Sequence, residues 1–371
     1  MKTRLPRGEF ADALDAVSAV APSRSPKPIF ECVCVETEGT SVSLATTNGE
    51  VSARVTVGAY RVERPGAVVV PAERLLAVVR EMPDEEVSLE AAEEHCLIRG
   101  EGREYRLFGR SRQDFPAVPD FAEGADLHVE AQWLQRMVAL TLYAAAREMS
   151  RYAINGVLWE KKGKRLWLVA TDGRRLARAG GTLLEAGGPD FHVIVPSKAL
   201  AVFERVFPVS PGGSSPVVQV RIEEGRQLVL RSGERVLSTA LVEGTFPKYQ
   251  DVIPTEAKCR ATLHRGSFFG AVRRAAIVTG PDGPTVKLAF AKNRLVLTSQ
   301  GVEAGEAREE MAVDFEGEPI EISFNATYLQ DVLKALTQDE VKLELTEGYR
   351  PSVLLGGDRE EFLYVVMPVA T

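Results

Sequence analysis

Three stretches decide the architecture: Val68-Val-Val-Pro-Ala-Glu-Arg-Leu-Leu-Ala-Val-Val-Arg80, Val193-Ile-Val-Pro-Ser-Lys-Ala-Leu-Ala-Val-Phe-Glu-Arg205 and Ile320-Glu-Ile-Ser-Phe-Asn-Ala-Thr-Tyr-Leu-Gln-Asp-Val-Leu-Lys-Ala-Leu336. Each is an extended apolar run that turns into a helical pattern. Pro71 and Pro196 stand at the junction, where a missing N–H costs a starting helix little. Ser197 and Asn325 are the expected N-caps. Upstream of each stretch lies another amphipathic segment, with apolar residues at helical spacing. These are Phe10, Leu14 and Val17, then Trp133, Leu134, Met137 and Val138, then Phe268, Phe269, Val272 and Ala276.

Short alternating strands separate the helices, joined at turn signals such as Asn48-Gly49, Lys162-Gly163 and Glu224-Gly225. Two units close alike, on Asp114-Phe-Pro-Ala-Val-Pro119 and Thr245-Phe-Pro-Lys-Tyr-Gln-Asp-Val-Ile-Pro254, and the third ends Val365-Val-Met-Pro368. An order of helix, strands, helix, strands that recurs three times is an internal repeat. The expected fold is α+β: three repeated domains, 1–125, 126–253 and 254–371, each with antiparallel sheet and two helices on one face.

The 371 residues are 45% hydrophobic and 26% charged, which excludes a disordered chain. The net charge of −7 argues against a surface that is basic all round. A nucleic-acid ligand would need a basic face inside an acidic average. No apolar run approaches a membrane span, and residues 1–10 do not read as a secretion signal, so a cytosolic location is expected. Cys32, Cys34, Cys96 and Cys259 form no C-x-x-C pair, and His95, His128, His192 and His264 are scattered. No metal site, cofactor or catalytic constellation is expected. Lys161-Lys-Gly-Lys-Arg165 reads as a solvated hairpin tip and Gly305-Glu-Ala-Arg-Glu-Glu310 as a solvated strand edge.

Ala170-Thr-Asp-Gly-Arg-Arg-Leu-Ala177 joins two strand-like runs through an Asp-Gly turn. It follows Arg151-Tyr-Ala-Ile-Asn-Gly-Val-Leu158 and precedes Phe246-Pro-Lys-Tyr249 and Tyr364-Val-Val-Met-Pro368. Together with the three repeats, this combination resembles the bacterial DNA sliding clamp, the beta subunit of DNA polymerase III. The resemblance implies a head-to-tail homodimer, a ring around duplex DNA with helices inside and sheets outside. Such a ring has no catalysis of its own. It binds double-stranded DNA without sequence preference, and it holds DNA polymerases, the clamp loader and repair proteins through short hydrophobic peptides. Size agrees: a domain of this length has a radius of gyration of about 14 Å, and six in a ring leave a hole of about 35 Å. A B-form duplex is roughly 20 Å wide.

The resemblance also assigns residues. DNA contact falls to Arg24, Arg74, Arg147, Tyr152 and Lys198, whereas Glu73 and Glu148 stand where relatives more often carry basic or neutral polar side chains. The peptide cleft is lined by Ile154, Thr171, Gly173, Arg174, Arg175, Leu176, Pro247, Val252, Ser352, Val365, Met367 and Pro368. In it Leu176, Val252, Val365 and Met367 form an apolar floor, and Arg175 grips the ligand at the rim. The Val369-Ala-Thr371 ending lacks the basic-aliphatic finish common in the family. Tyr105 and Leu107 are expected to face Ile277 and Val278 across the dimer interface. The expected helical spans 7–20, 72–82, 131–148, 197–206, 265–276 and 325–336 hold 11 Lys and Arg against 8 Asp and Glu. That excess has the sign needed to face phosphate but is small, which suits weak, salt-sensitive sliding. It also leaves two other readings open: a clamp paralogue serving one repair polymerase or an accessory replicon, and a ring-shaped scaffold that does not thread DNA.

Overall fold

The computed structural model describes residues 1–92, 95–147, 152–183, 185, 187–210, 212–280, 283–301 and 304–370. Among them the strands form four sheets. The chain divides into two compact units, Met1–Gln135 with Leu183–Pro189 and Val195–Leu241, and Arg136–Thr182 with Asp190–Ile194 and Val242–Thr371. The division runs through the central repeat, because each of its two sheets continues into a neighbouring repeat.

In the first unit, a five-stranded sheet runs Arg61–Arg64, Lys2–Pro6, Glu86–Ala92, His95–Gly100, Arg103–Phe108. An eight-stranded sheet joins the central repeat to the first by pairing Arg235–Ala240 antiparallel with Val51–Gly58, Leu237 opposite Ala53. Helix Arg7–Ser18 packs on helix Ala72–Glu81. Phe10, Leu14 and Val17 of the first helix and Leu75, Leu76 and Val79 of the second are buried, following the helical spacing of the sequence.

The second unit repeats the plan. A nine-stranded sheet joins the central repeat to the third by pairing Arg175–Thr182 antiparallel with Phe362–Val366, Ala177 opposite Tyr364. A four-stranded sheet ends in Gly305–Met311. Helix Arg265–Ala275 packs on helix Ala326–Ala335.

Helix boundaries correct the sequence expectation in three places. The span expected to reach residue 148 stops at Thr141, whose hydroxyl donates back to Met137 O at 2.8 Å, and continues as a 3-10 turn, Leu142–Ala144. Position 148 lies outside the described residues. The span 197–206 splits into Ser197–Ala201 and Phe203–Val206. Val202 adopts φ −98° and ψ −5°, and Phe203 and Phe207 turn into the core with ring centroids 5.0 Å apart. Ser197 is the first helical residue, with Pro196 in the cap position.

Asn325 does cap its helix, its Oδ1 accepting from Thr327 N at 2.9 Å. His264, not foreseen, caps the first helix of the third repeat, Nδ1 accepting from Ser267 N at 3.2 Å. Asn325→Ala is expected to cost about 1 kcal/mol through the lost cap. Asn325→Asp should retain most of it, and urea unfolding followed by circular dichroism measures both.

Candidate functional site

The turn between strands Arg165–Thr171 and Arg175–Thr182 is built by its own side chains. The Thr171 hydroxyl donates to Arg175 O at 2.6 Å and accepts from Gly173 N at 3.1 Å. Asp172 Oδ1 accepts from Arg174 N at 2.9 Å and Arg175 N at 3.1 Å. Gly173 sits at φ +86°, where an L side chain is strained. A Cβ there would meet no atom within 4 Å, so the surface over the turn is open to an approaching chain.

Beneath the turn lies a core that includes Ile154, Leu158, Val169, Leu176, Phe246, Tyr249 and Val365. The strap at residues 245–254 is pinned by buried Phe246 and by the Tyr249 hydroxyl, which donates to Glu160 Oε2 at 2.7 Å. Burial and that bond raise the Tyr249 pKa. The C-terminal strand completes the wall: Val365 lies opposite Leu176, and Met367 N donates to Arg174 O at 2.9 Å.

These elements enclose a cleft of about 210 Å³. Ile154, Thr171, Gly173, Arg174, Arg175, Leu176, Pro247, Val252, Val365 and Met367 line it, from segments far apart in sequence. Tyr152, Lys248 and Tyr249 line it as well. Tyr152, which the resemblance gave to DNA, is brought beside Ile154 by a tight turn in which Ile154 N donates to Tyr152 O at 2.9 Å. Ser352 and Pro368 are not in the lining. Ser352 is fully buried in the sheet opposite Val366, and Pro368 lies past the end of strand Phe362–Val366.

Leu176 and Val365 form the floor at 2% exposure each, whereas Val252 and Met367, expected in the floor, are exposed edges at 50% and 41%. Arg175 lines the cleft as expected, but its guanidinium is engaged within the protein. Its guanidinium donates to Asp331 Oδ2 at 2.6 Å, Asp172 Oδ2 at 2.9 Å and Tyr143 O at 2.7 Å. It lies over the Tyr328 ring at 4.5 Å. Burial alone would lower its pKa, but the bond to Asp331 and the charge of Asp172 outweigh it and raise the pKa instead. Arg174 and Lys248 are the exposed cations of the lining, which contains no carboxylate among the described residues. An apolar floor with cations at its edge is chemically suited to apolar side chains accompanied by a negative charge.

The remaining candidates lie on the surface. Arg24, Arg74 and Arg147 are exposed, and Lys198 is exposed while pairing with Glu50 at 3.2 Å. Two further helix cations, Arg80 and Arg205, share Asp15 at 2.7 and 2.8 Å. Part of the helix charge in the first unit is therefore neutralised locally. Tyr105 is 40% exposed on edge strand Arg103–Phe108, with Leu107 half-buried. Ile277 is 74% exposed and Val278 half-buried, on the 3-10 turn Ala276–Val278 beside edge strand Gly305–Met311. Among the described residues no group of His, Cys, Asp and Glu could hold a metal ion, and no helix is long and apolar enough to cross a membrane.

Family comparisons follow the same threefold plan. Residues 1–119 match the DNA polymerase III beta subunit N-terminal domain, residues 128–248 its central domain and residues 250–370 its C-terminal domain. The beta sliding clamp of Caulobacter vibrioides is 31% identical over 376 residues, covering 100% of both chains. That of Chlamydia muridarum is 28% identical over 370 residues, covering 100% of this chain and 99% of its own. The DNA polymerase III subunit beta of Pseudomonas aeruginosa superposes with a TM-score of 0.92 at 27% identity over 100% of both chains. A sliding clamp from Bartonella birtlesii, solved bound to griselimycin, gives 0.91 at 29% over 100% of both. With all three domains matched in order along its whole length, the chain belongs to the bacterial beta sliding clamp family, the beta subunits of DNA polymerase III.

Proposed function

We propose that this chain is a processivity clamp, a homodimeric ring that encircles duplex DNA and tethers polymerases to it. The observation that carries the reading is the pattern of paired and unpaired strand edges. The last strand of the central repeat pairs with Val51–Gly58 of the first, and the last strand of the third pairs with Arg175–Thr182 of the central repeat. The last strand of the first repeat, Arg103–Phe108, and the third repeat's counterpart of the receiving strands, Gly305–Met311, end their sheets unpaired. A second copy supplies each with the missing neighbour, and a head-to-tail contact that closes after two copies gives a ring of six repeats.

The internal joins also predict the register. Ser52 and Leu176, which close their hairpins opposite Thr47 and Thr171, receive Ser238 and Val365. The residue at the place of Ser238 on the first repeat's last strand is Arg106, and the third repeat's ladder runs through Gln300 with Glu306 to close on Gly301 with Gly305. Seating Arg106 on the partner's Gly305 would set Arg103 against the partner's Arg308, so we take the register in which Arg106 meets the partner's Glu306. Arg106 then faces Glu306 of the partner subunit, Glu104 faces the partner's Arg308, and Arg103 faces the partner's Glu309. Every charged pair is opposite in sign, which favours this register over a one-residue slip. Ile277 and Val278 add apolar surface beside the seam.

Arg24, Arg74, Arg147 and Lys198 meet phosphate inside the ring. Contact through few cations is weak and indifferent to sequence, as sliding requires. The cleft takes short hydrophobic peptides from polymerases, the clamp loader and repair proteins, and its size admits one at a time.

Arg106→Glu is expected to shift the dimer toward monomer, and adding Glu306→Arg to restore it. Sedimentation at matched concentration decides, and an undisturbed dimer in the single variant would sink the register. Loaded onto nicked circular DNA, the ring should stay bound until the circle is linearised. The Arg24→Glu, Arg147→Glu, Lys198→Glu triple variant should shorten that residence while its melting curve is unchanged. Removal of residues 367–371 should abolish binding of a polymerase-tail peptide and leave the dimer intact, read by fluorescence anisotropy and sedimentation.

A further inference from the structure

The two internal joins share one backbone plan but differ in what fills the space behind the hairpin. At the second, Arg175 ties together Asp172, Asp331 and the Tyr143 carbonyl. Counted from the shared hairpin, Asp172 and Arg175 correspond to Asn48 and Val51. Counted from the starts of helices Arg7–Ser18 and Ala131–Thr141, Tyr143 corresponds to Ala19. Counted from Ser197–Ala201 and Ala326–Ala335, Asp331 corresponds to Val202. Ala19, Asn48, Val51 and Val202 all line one cavity of about 490 Å³. The place of the buried ionic cluster at one join is an open pocket at the other.

The hairpin turns match even in their hydrogen bonds. Thr47 Oγ1 accepts from Gly49 N at 3.1 Å and Asn48 Oδ1 accepts from Val51 N at 2.9 Å, as Thr171 and Asp172 do. The strand ladders run in the same register. The first join therefore forms with no charged side chain at these corresponding positions, so the cluster is not what holds a join together. Buried ion pairs add little net stability, since desolvation offsets their attraction. What the second join has in addition is the peptide cleft. Arg174, Arg175 and Leu176 all belong to the cleft lining, and Arg175 lies opposite Val366, between Val365 and Met367 of the facing wall.

We infer that Arg175 is a positioning residue for the cleft: held by Asp331, Asp172 and Tyr143, it sets the hairpin wall against the C-terminal wall before a peptide arrives. It belongs to the cleft lining, with its guanidinium donors committed to Asp331, Asp172 and the Tyr143 carbonyl. Rigid walls cut the ordering cost of binding, so their loss appears in affinity rather than in folding. The inference rests on the reading of the cleft as a peptide site.

The test uses the full-length protein and a fluorescein-labelled short peptide carrying leucine, phenylalanine and one aspartate. Arg175→Val with Asp331→Val copies the first join. It should keep its dimer and its unfolding temperature and bind the peptide about tenfold more weakly, with faster dissociation. Asp331→Asn, which keeps the shape and removes the charge, should weaken binding by about threefold. Wild-type affinity in both variants would overturn the positioning role and leave the cleft reading standing. A double variant that fails to fold or to dimerise would also overturn it, because the cluster would then be holding the join. A wild-type protein that ignores the peptide removes the cleft reading and this inference with it.

Discussion

Backbone hydrogen bonding at sheet edges is the constraint on which this molecule depends. A strand edge presents a row of N–H and C=O groups that must be satisfied. Here two edges are satisfied inside the chain, where Val51–Gly58 receives Arg235–Ala240 and Arg175–Thr182 receives Phe362–Val366. The ladder uses groups that every residue except proline carries. Repeats can therefore diverge in side chains and still join in one register. The same fact explains why contact density divides the chain through the central repeat: its two sheets belong to different neighbours.

Freed from holding the joins together, side chains have specialised. Behind the first hairpin stand Ala19, Val51 and Val202 around a cavity; behind the second stand Tyr143, Arg175 and Asp331 in an ionic cluster. The ladder is common to both, and the ionic cluster stands only where the proposed peptide cleft borders the join. The cleft itself is economical: an apolar floor of Leu176 and Val365, exposed Val252 and Met367 at the edges, and cations at the rim. On the proposed reading, shape and burial would serve many apolar sequences, and an adaptable methionine suits a surface that accepts several partners.

Charge follows the same economy. The chain is acidic overall, and Asp15 and Glu50 offset helix cations that would otherwise all be available to phosphate. In the proposed ring, a strongly basic channel would grip DNA, whereas a nearly balanced one would let topology do the holding and leave the ring free to move.

The threefold order of helices and strands, the buried faces around Phe10, Leu75 and Phe268, and the Asp172-Gly173 turn were legible in the sequence. They rest on local rules: period, caps and the φ > 0 that only glycine adopts easily. Most of the cleft lining followed from the resemblance. Its exceptions could not be read, because they depend on partners distant in the chain. Arg175 looks like a rim cation until Asp331, 156 residues away, is seen to hold it. Ser352 looks accessible until the sheet closes over it. The helix expected through residue 148 ends at Thr141, where a side chain competes for the backbone. Periodicity reports which face of an element is buried. Only the folded chain decides what it is buried against, and for a charged residue that decides whether it meets a ligand or fixes the wall the ligand meets.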